Sequence, residues 1–200
     1  FLQISLDKSG QIEIINDLIS NKLLLFKENS ITVETDLITF CSCGKEADKI
    51  VEPDKNTLEF HFALQPAEIQ VRYVLEPQAK FIERYISIIP KCPLVLFHIT
   101  CNMEFEKEPL TIIDYHTFWN CPTAVFVREN DYGMYTGFAN PFFQATNRRD
   151  NLRIGFAANI KLCPGEIYDS ESNFFGMHDL YGGMIEQEIP QTAIKYNSRN

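Results

Sequence analysis

The sequence predicts an all-β chain: a single two-sheet antiparallel sandwich, supersandwich-like, with little helix, over residues 1–200. Three observations carry this. Apolar residues recur at every second position in one segment after another, the period of a strand with one buried face. Turn residues, mostly proline and glycine, separate nearly all of these segments. No strand–helix–strand rhythm, internal repeat or low-complexity stretch interrupts them. About ten punctuated strands point to a sandwich or barrel.

In chain order, Ile12 and Ile14, Leu23 and Leu25, and Ile31 and Val33 mark three short strands. Residues 16–24 leave room for a turn of helix. Phe60, Phe62 and Leu64 form the next strand, closed by Pro66. Ile69, Val71, Tyr73 and Leu75 alternate with Gln70, Arg72, Val74 and Glu76 up to Pro77, which has no N–H to give a ladder. Beyond Pro77 the alternation again favours strand: Ile82, Ile86 and Ile88 share a face with Arg84, and Pro90 closes the run. Val95, Phe97, Ile99, Cys101, Met103 and Phe105 form a long apolar stripe, and Val125 and Val127 a short one. Tyr132, Tyr135, Phe138, Phe142 and Phe143, set around Gly133 and Gly137, read as a loop-rich hairpin packing its own aromatics. The clearest strand sets Leu152, Ile154, Phe156, Ala158, Ile160 and Leu162 against Arg153, Gly155, Ala157, Asn159 and Lys161. Cys163-Pro164-Gly165 stops it. The polar tail, 191–200, reads as a frayed end or the start of a linker.

A composition of 45% hydrophobic and 22% charged residues is that of a soluble globular protein. The net charge of -9 argues against a nucleic-acid partner, which calls for clustered Lys and Arg, and against an anionic membrane surface. Arg148, Arg149 and Arg153 are too few to reverse this and are expected to edge a turn. No apolar run approaches the roughly 20 residues of a spanning helix, so no membrane insertion is expected. Phe1-Leu2-Gln3-Ile4 shows no signal-peptide pattern. The six cysteines include no C-x-x-C pair, which removes the common zinc and thioredoxin spacings. Cys41 and Cys43 would share one strand face, too far apart for an unstrained disulfide. Most of the cysteines are expected to be buried free thiols.

No phosphate-binding glycine motif, G-x-S-x-G elbow or H-E-x-x-H helix occurs. His61, His98, His116 and His178 are all more than four residues apart. No catalytic residue, metal ligand or cofactor is therefore assigned, and His98 reads as a structural histidine. Asp114, Glu129, Asp131, Glu166, Asp169 and Glu171 read as dispersed, solvated acids; a glycosidase needs two carboxyls at a defined separation. Residues 111–122 are the most unusual segment. They hold the single Trp119 with Asp114, Tyr115, His116 and Phe118. Aromatic faces beside polar groups suit a sugar, and they equally suit a core. Alternation puts Ile113, Tyr115 and Trp119 on one face, assigned to the core. The opposite face makes Asp114 and His116 the candidate ligand contacts.

Several stretches resemble known families. Ala139-Asn140-Pro141-Phe142-Phe143, residues 151–161, Leu162-Cys163-Pro164-Gly165-Glu166-Ile167-Tyr168-Asp169-Ser170-Glu171 and Phe174-Phe175-Gly176 resemble the N-terminal sandwich of bacterial α-galactosidase-like glycoside hydrolases. Lys80-Phe81-Ile82-Glu83-Arg84-Tyr85-Ile86-Ser87-Ile88 is similar to a strand of galactose-mutarotase-like supersandwiches. In those hydrolases the catalytic acids lie in a separate barrel. The resemblance thus implies that this chain is a non-catalytic N-terminal module, with a companion catalytic domain and a carbohydrate as its partners. It also implies a periplasmic or secreted setting. The mutarotase histidines and glutamate have no residue-by-residue match here. Three readings follow. A supporting module predicts an apolar docking patch, a free-standing carbohydrate-binding module predicts exposed aromatic faces, and a mutarotase-like epimerase or lyase predicts His and Glu or Asp converging in a cleft.

Overall fold

The computed structural model describes residues 2–77, 79–107, 109, 111–116, 122–128, 132–140 and 142–179. The chain lays down β1 (Leu2–Leu6), β2 (Ile12–Asp17), β3 (Lys22–Thr35) and β4 (Thr39–Cys41) in a first sheet. It crosses to a second sheet for β5 (Lys49–Asp54), β6 (Thr57–Ala63), β7 (Ala67–Val74) and β8 (Phe81–Pro90). It returns for β9 (Leu94–Phe105), then crosses for β10 (Thr111–His116), β11 (Pro122–Arg128) and β12 (Tyr132–Phe138). β13 (Gln144–Arg148) and β14 (Asn151–Leu162) complete the first sheet, and β15 (Tyr168–Asp169) and β16 (Asn173–Asp179) the second.

The first sheet runs β1-β2-β3-β9-β14-β13, with β4 also on β3. The second runs β10-β11-β12-β16-β8-β7-β6-β5, with β15 also on β8. The strand pairs in both sheets are antiparallel. The described residues contain no helix. The all-β, two-sheet antiparallel sandwich is the observed architecture, with sixteen strands among the described residues where about ten were expected.

Between the sheets lies one continuous core. Ile69, Val71 and Tyr73 of β7 and Ile82, Ile86 and Ile88 of β8 meet Ile31 and Val33 of β3 and Leu152 and Ile154 of β14. Arg84 is buried among them, as the alternation placed it. Its guanidinium is held by neutral groups from both sheets. Nη1 donates to Asn29 Oδ1 at 2.7 Å and to the Tyr73 hydroxyl at 3.3 Å. Nε and Nη2 donate to Asn173 Oδ1 at 3.1 and 2.7 Å. The group also lies 4.7 Å from the Phe175 ring centroid, within cation–π range. Burial pushes the neighbouring Cys101 thiol up, against the opposing influence of Arg84. Its sulfur is therefore a protonated thiol near neutral pH.

Several sequence expectations need correction. Residues 16–24 form no helix: β2 ends at Asp17, and its carboxylate accepts from the N–H of Ile19 (2.9 Å) and the Ser20 hydroxyl (2.8 Å) to shape the turn into β3. In β3, Leu24 and Phe26 face the core while Leu23 and Leu25 are exposed. In β2 the buried residues are Ile12 and Ile15, because the register with β1 shifts opposite them. The β9 stripe also changes phase. Between Glu34 and Thr35 of β3, β9 carries an extra residue, so Leu94 and Leu96 turn inward in place of Val95 and Phe97. From Ile99 to Phe105 the expected phase holds.

Residues 132–138 are an inner strand, not a loop-rich hairpin. The five described cysteines are free, but Cys101 alone among them is buried; Cys43 and Cys163 are exposed. β4 ends at Cys41, so Cys41 and Cys43 do not share a strand. Pro164 and Gly165 make the expected turn, Gly165 at φ 88°, with the Cys163 N–H donating to the exposed Glu166 carboxylate at 2.7 Å.

Candidate functional site

The first sheet has an outer face turned away from the core. Its central strands bring small and polar side chains there, because their apolar residues are already committed inward. Residues paired across a sheet project to the same side, so the register defines rows. Glu34, His98 and Ala157 form one row. Thr32, Thr100, Gly155 and Gln144 form the next. Ser30, Asn102, Arg153 and Thr146 form a third. Successive rows lie about 7 Å apart along the strands.

A cleft of about 530 Å³ opens over these rows. Phe142 stands at its side, just ahead of β13 and 71% exposed. It is positioned from two directions. Its N–H donates to Asn140 Oδ1 at 2.9 Å. The next residue, Phe143, is buried against Phe138, with ring centroids 6.3 Å apart. On the floor, Gly155 approaches β9 so closely that a Cβ there would come 2.5 Å from the Ile99 carbonyl oxygen. The Asn102 amide donates to Thr32 Oγ1 at 3.2 Å, which orients that polar row.

His98 Nδ1 lies 3.4 Å from Glu34 Oε2, and both side chains are about half exposed. The distance is beyond ordinary hydrogen-bond length, so the pair is a loose, solvated contact. Arg153 is exposed and makes no ion pair or hydrogen bond among the described residues. The cleft thus joins one exposed aromatic face to hydroxyl, amide, imidazole, carboxylate and guanidinium groups.

The ligand contacts expected from the sequence are Asp114 and His116. They lie on β10 in the other sheet, in register with Val125 and Pro122, and the register shifts between Tyr115 and His116. Phe118, Trp119, Cys121, Glu129, Asp131 and the tail 191–200 lie outside the described residues. Sequence reasoning had Arg153, Gly155 and Ala157 on the polar face of their strand, and His98 beside its stripe. It did not bring them together with Glu34, Gln144 and Phe142. The local signal was there, in the polar side of β14, but the partner strands were not.

No family model and no curated protein sequence matches the chain. Among solved structures it is similar to a galactose mutarotase related enzyme from Lactobacillus acidophilus, with TM-score 0.60 and 8% identity over 89% of this chain and 95% of that one. A galactose mutarotase-like protein from Lactobacillus casei gives TM-score 0.55 and 8% identity over 88% and 97%. A polysaccharide lyase gives TM-score 0.58 and 12% identity over 98% of this chain and 34% of the lyase. The galactose-mutarotase-like sandwich expected from the sequence motifs is therefore the fold this chain has.

Proposed function

We propose that this chain is a carbohydrate-recognition sandwich, the non-catalytic N-terminal module of a larger, α-galactosidase-like protein. The observation that carries this reading is the cleft. An exposed Phe142 beside the small Ala157, with His98 and Glu34 on the same row, offers an apolar face and a polar edge. That combination suits a pyranose ring. The exposed Leu18 and Ile19 at the β2–β3 turn and Leu23 and Leu25 on β3 supply apolar surface for a companion catalytic domain. The proposed setting is periplasmic or secreted. Asp114 and His116 are proposed as a separate, secondary contact.

The second reading, a mutarotase-like epimerase, draws on His98 and Glu34 in the same cleft. Opening an aldose ring moves one proton from the anomeric hydroxyl and delivers another to the ring oxygen. An acid and a base on either side of the sugar serve that; His98 and Glu34 contact each other and form one group. The non-catalytic reading is therefore preferred. Titration with galactose and short galactans, alongside polarimetry of galactose mutarotation, tests both. Binding without rate enhancement is expected. Robust mutarotation abolished by His98→Ala would promote the epimerase, and failure of every neutral and acidic sugar to bind would overturn the carbohydrate reading.

A further inference from the structure

We infer that the cleft takes an anionic oligosaccharide, with Arg153 holding the charged group of the unit next to the ring seated at Phe142. This rests on the carbohydrate reading above. Along β14, Arg153 stands four residues from Ala157, about 13 Å. The two ends of the cleft therefore address different units of a chain. At the Phe142 end His98 faces Glu34 at 3.4 Å. On β3, beyond β9 in the same sheet, Lys27 is matched by Glu104 at 3.3 Å and Asp150 at 3.7 Å. Arg153 differs: its row partners Thr146 and Asn102 are neutral, and it makes no ion pair among the described residues.

The protein as a whole carries net charge -9, which repels an anionic glycan, so a local cation has to select it. A guanidinium suits this: it is planar, weakly hydrated, and presents paired N–H donors to a carboxylate or sulfate. Thr146 and Asn102 add neutral groups beside it that suit the neighbouring hydroxyls. A uronate carboxylate and a sulfate ester share this chemistry.

Calorimetric titration of the chain with oligogalacturonate and oligoglucuronate, their neutral galactose and glucose counterparts, and sulfated galactan oligomers tests the assignment. The acidic ligands are expected to bind about tenfold more tightly than their neutral counterparts, an advantage that shrinks with added salt. Arg153→Gln should remove the advantage and Arg153→Lys should keep part of it. Tighter binding of the sulfated or of the carboxylated series identifies the anion. Equal affinity for acidic and neutral ligands, or a preference that survives Arg153→Gln, overturns the inference while leaving sugar binding intact. If no ligand of any series binds, the carbohydrate reading itself fails.

Discussion

Arg84 on the second sheet donates a 2.7 Å hydrogen bond to Asn29 on the first, so a buried cation ties the two layers of the sandwich together. Truncation leaves the Asn29 and Asn173 carbonyl oxygens facing a cavity. Arg84→Ala is expected to cost about 3–5 kcal/mol. Arg84→Met, which fills the space without a charge, should cost less. Arg84→Lys keeps the charge but cannot reproduce the fork that reaches Asn29, Tyr73 and Asn173 together, and should fall between them. Urea denaturation orders the three; an Ala variant within about 1 kcal/mol of the parent would remove Arg84 from this role.

Gly176 and Tyr135 make a second sharp test. They are paired across β16 and β12, and a Cβ on Gly176 would lie 2.2 Å from the Tyr135 ring. Gly176→Ala must displace a fully buried ring, an overpacking cost of about 1–3 kcal/mol or more. Gly165 is the control. Its φ of 88° strains any replacement, but the space beside it is open, so Gly165→Ala should cost only about 1–2 kcal/mol. Thermal unfolding of both variants should rank Gly176→Ala as the more damaging.

On β7 the Glu68 carboxyl is held below the usual carboxylate range, chiefly by the His61 ring at 2.9 Å and then by the Gln70 amide at 2.9 Å. A depressed folded pKa contributes stability that is fully present above the unfolded value, about 4.3, and lost as pH falls through the folded one. The side chain is a third exposed, so the effect should be modest. Melting temperatures of the parent and Glu68→Gln should differ most near neutrality and converge as the medium becomes strongly acidic. A gap that widens on acidification would contradict this origin.

Where strands kept an unbroken period of two, the sequence could be read to the residue. Ile82, Arg84, Ile86 and Ile88 point inward as alternation requires. β9 was misphased because one extra residue near Phe97 reverses the faces, and nothing in composition marks it. Tyr132–Phe138 was misread as a loop because it is covered on both faces. Its residues after Tyr132 are all buried, and alternation vanishes when neither side meets water. The cleft needed one more fact. Arg153 lies more than a hundred residues from Glu34 in sequence, and only the order β3-β9-β14-β13 makes them neighbours on one surface.

Phe142 and Phe143 are adjacent, chemically identical and expected to behave in opposite ways. Phe143 is 1% exposed and packs on Phe138, which in turn meets Phe156 edge-on with ring centroids 5.1 Å apart. Removing its ring opens a cavity at the edge of the core, so Phe143→Ala should cost about 3–5 kcal/mol. Phe142 already faces water, so Phe142→Ala should change stability by no more than about 0.5 kcal/mol. Its loss should instead weaken sugar binding by about tenfold or more, because stacking on an exposed ring has no substitute elsewhere on that row. Phe142→Tyr, which keeps an aromatic face, should bind nearly as well as the parent. Chemical denaturation and sugar titration on the same three variants separate the roles. If Phe142→Ala proves destabilising, or binds sugar as the parent does, the aromatic wall of the cleft is structural and the binding surface lies elsewhere.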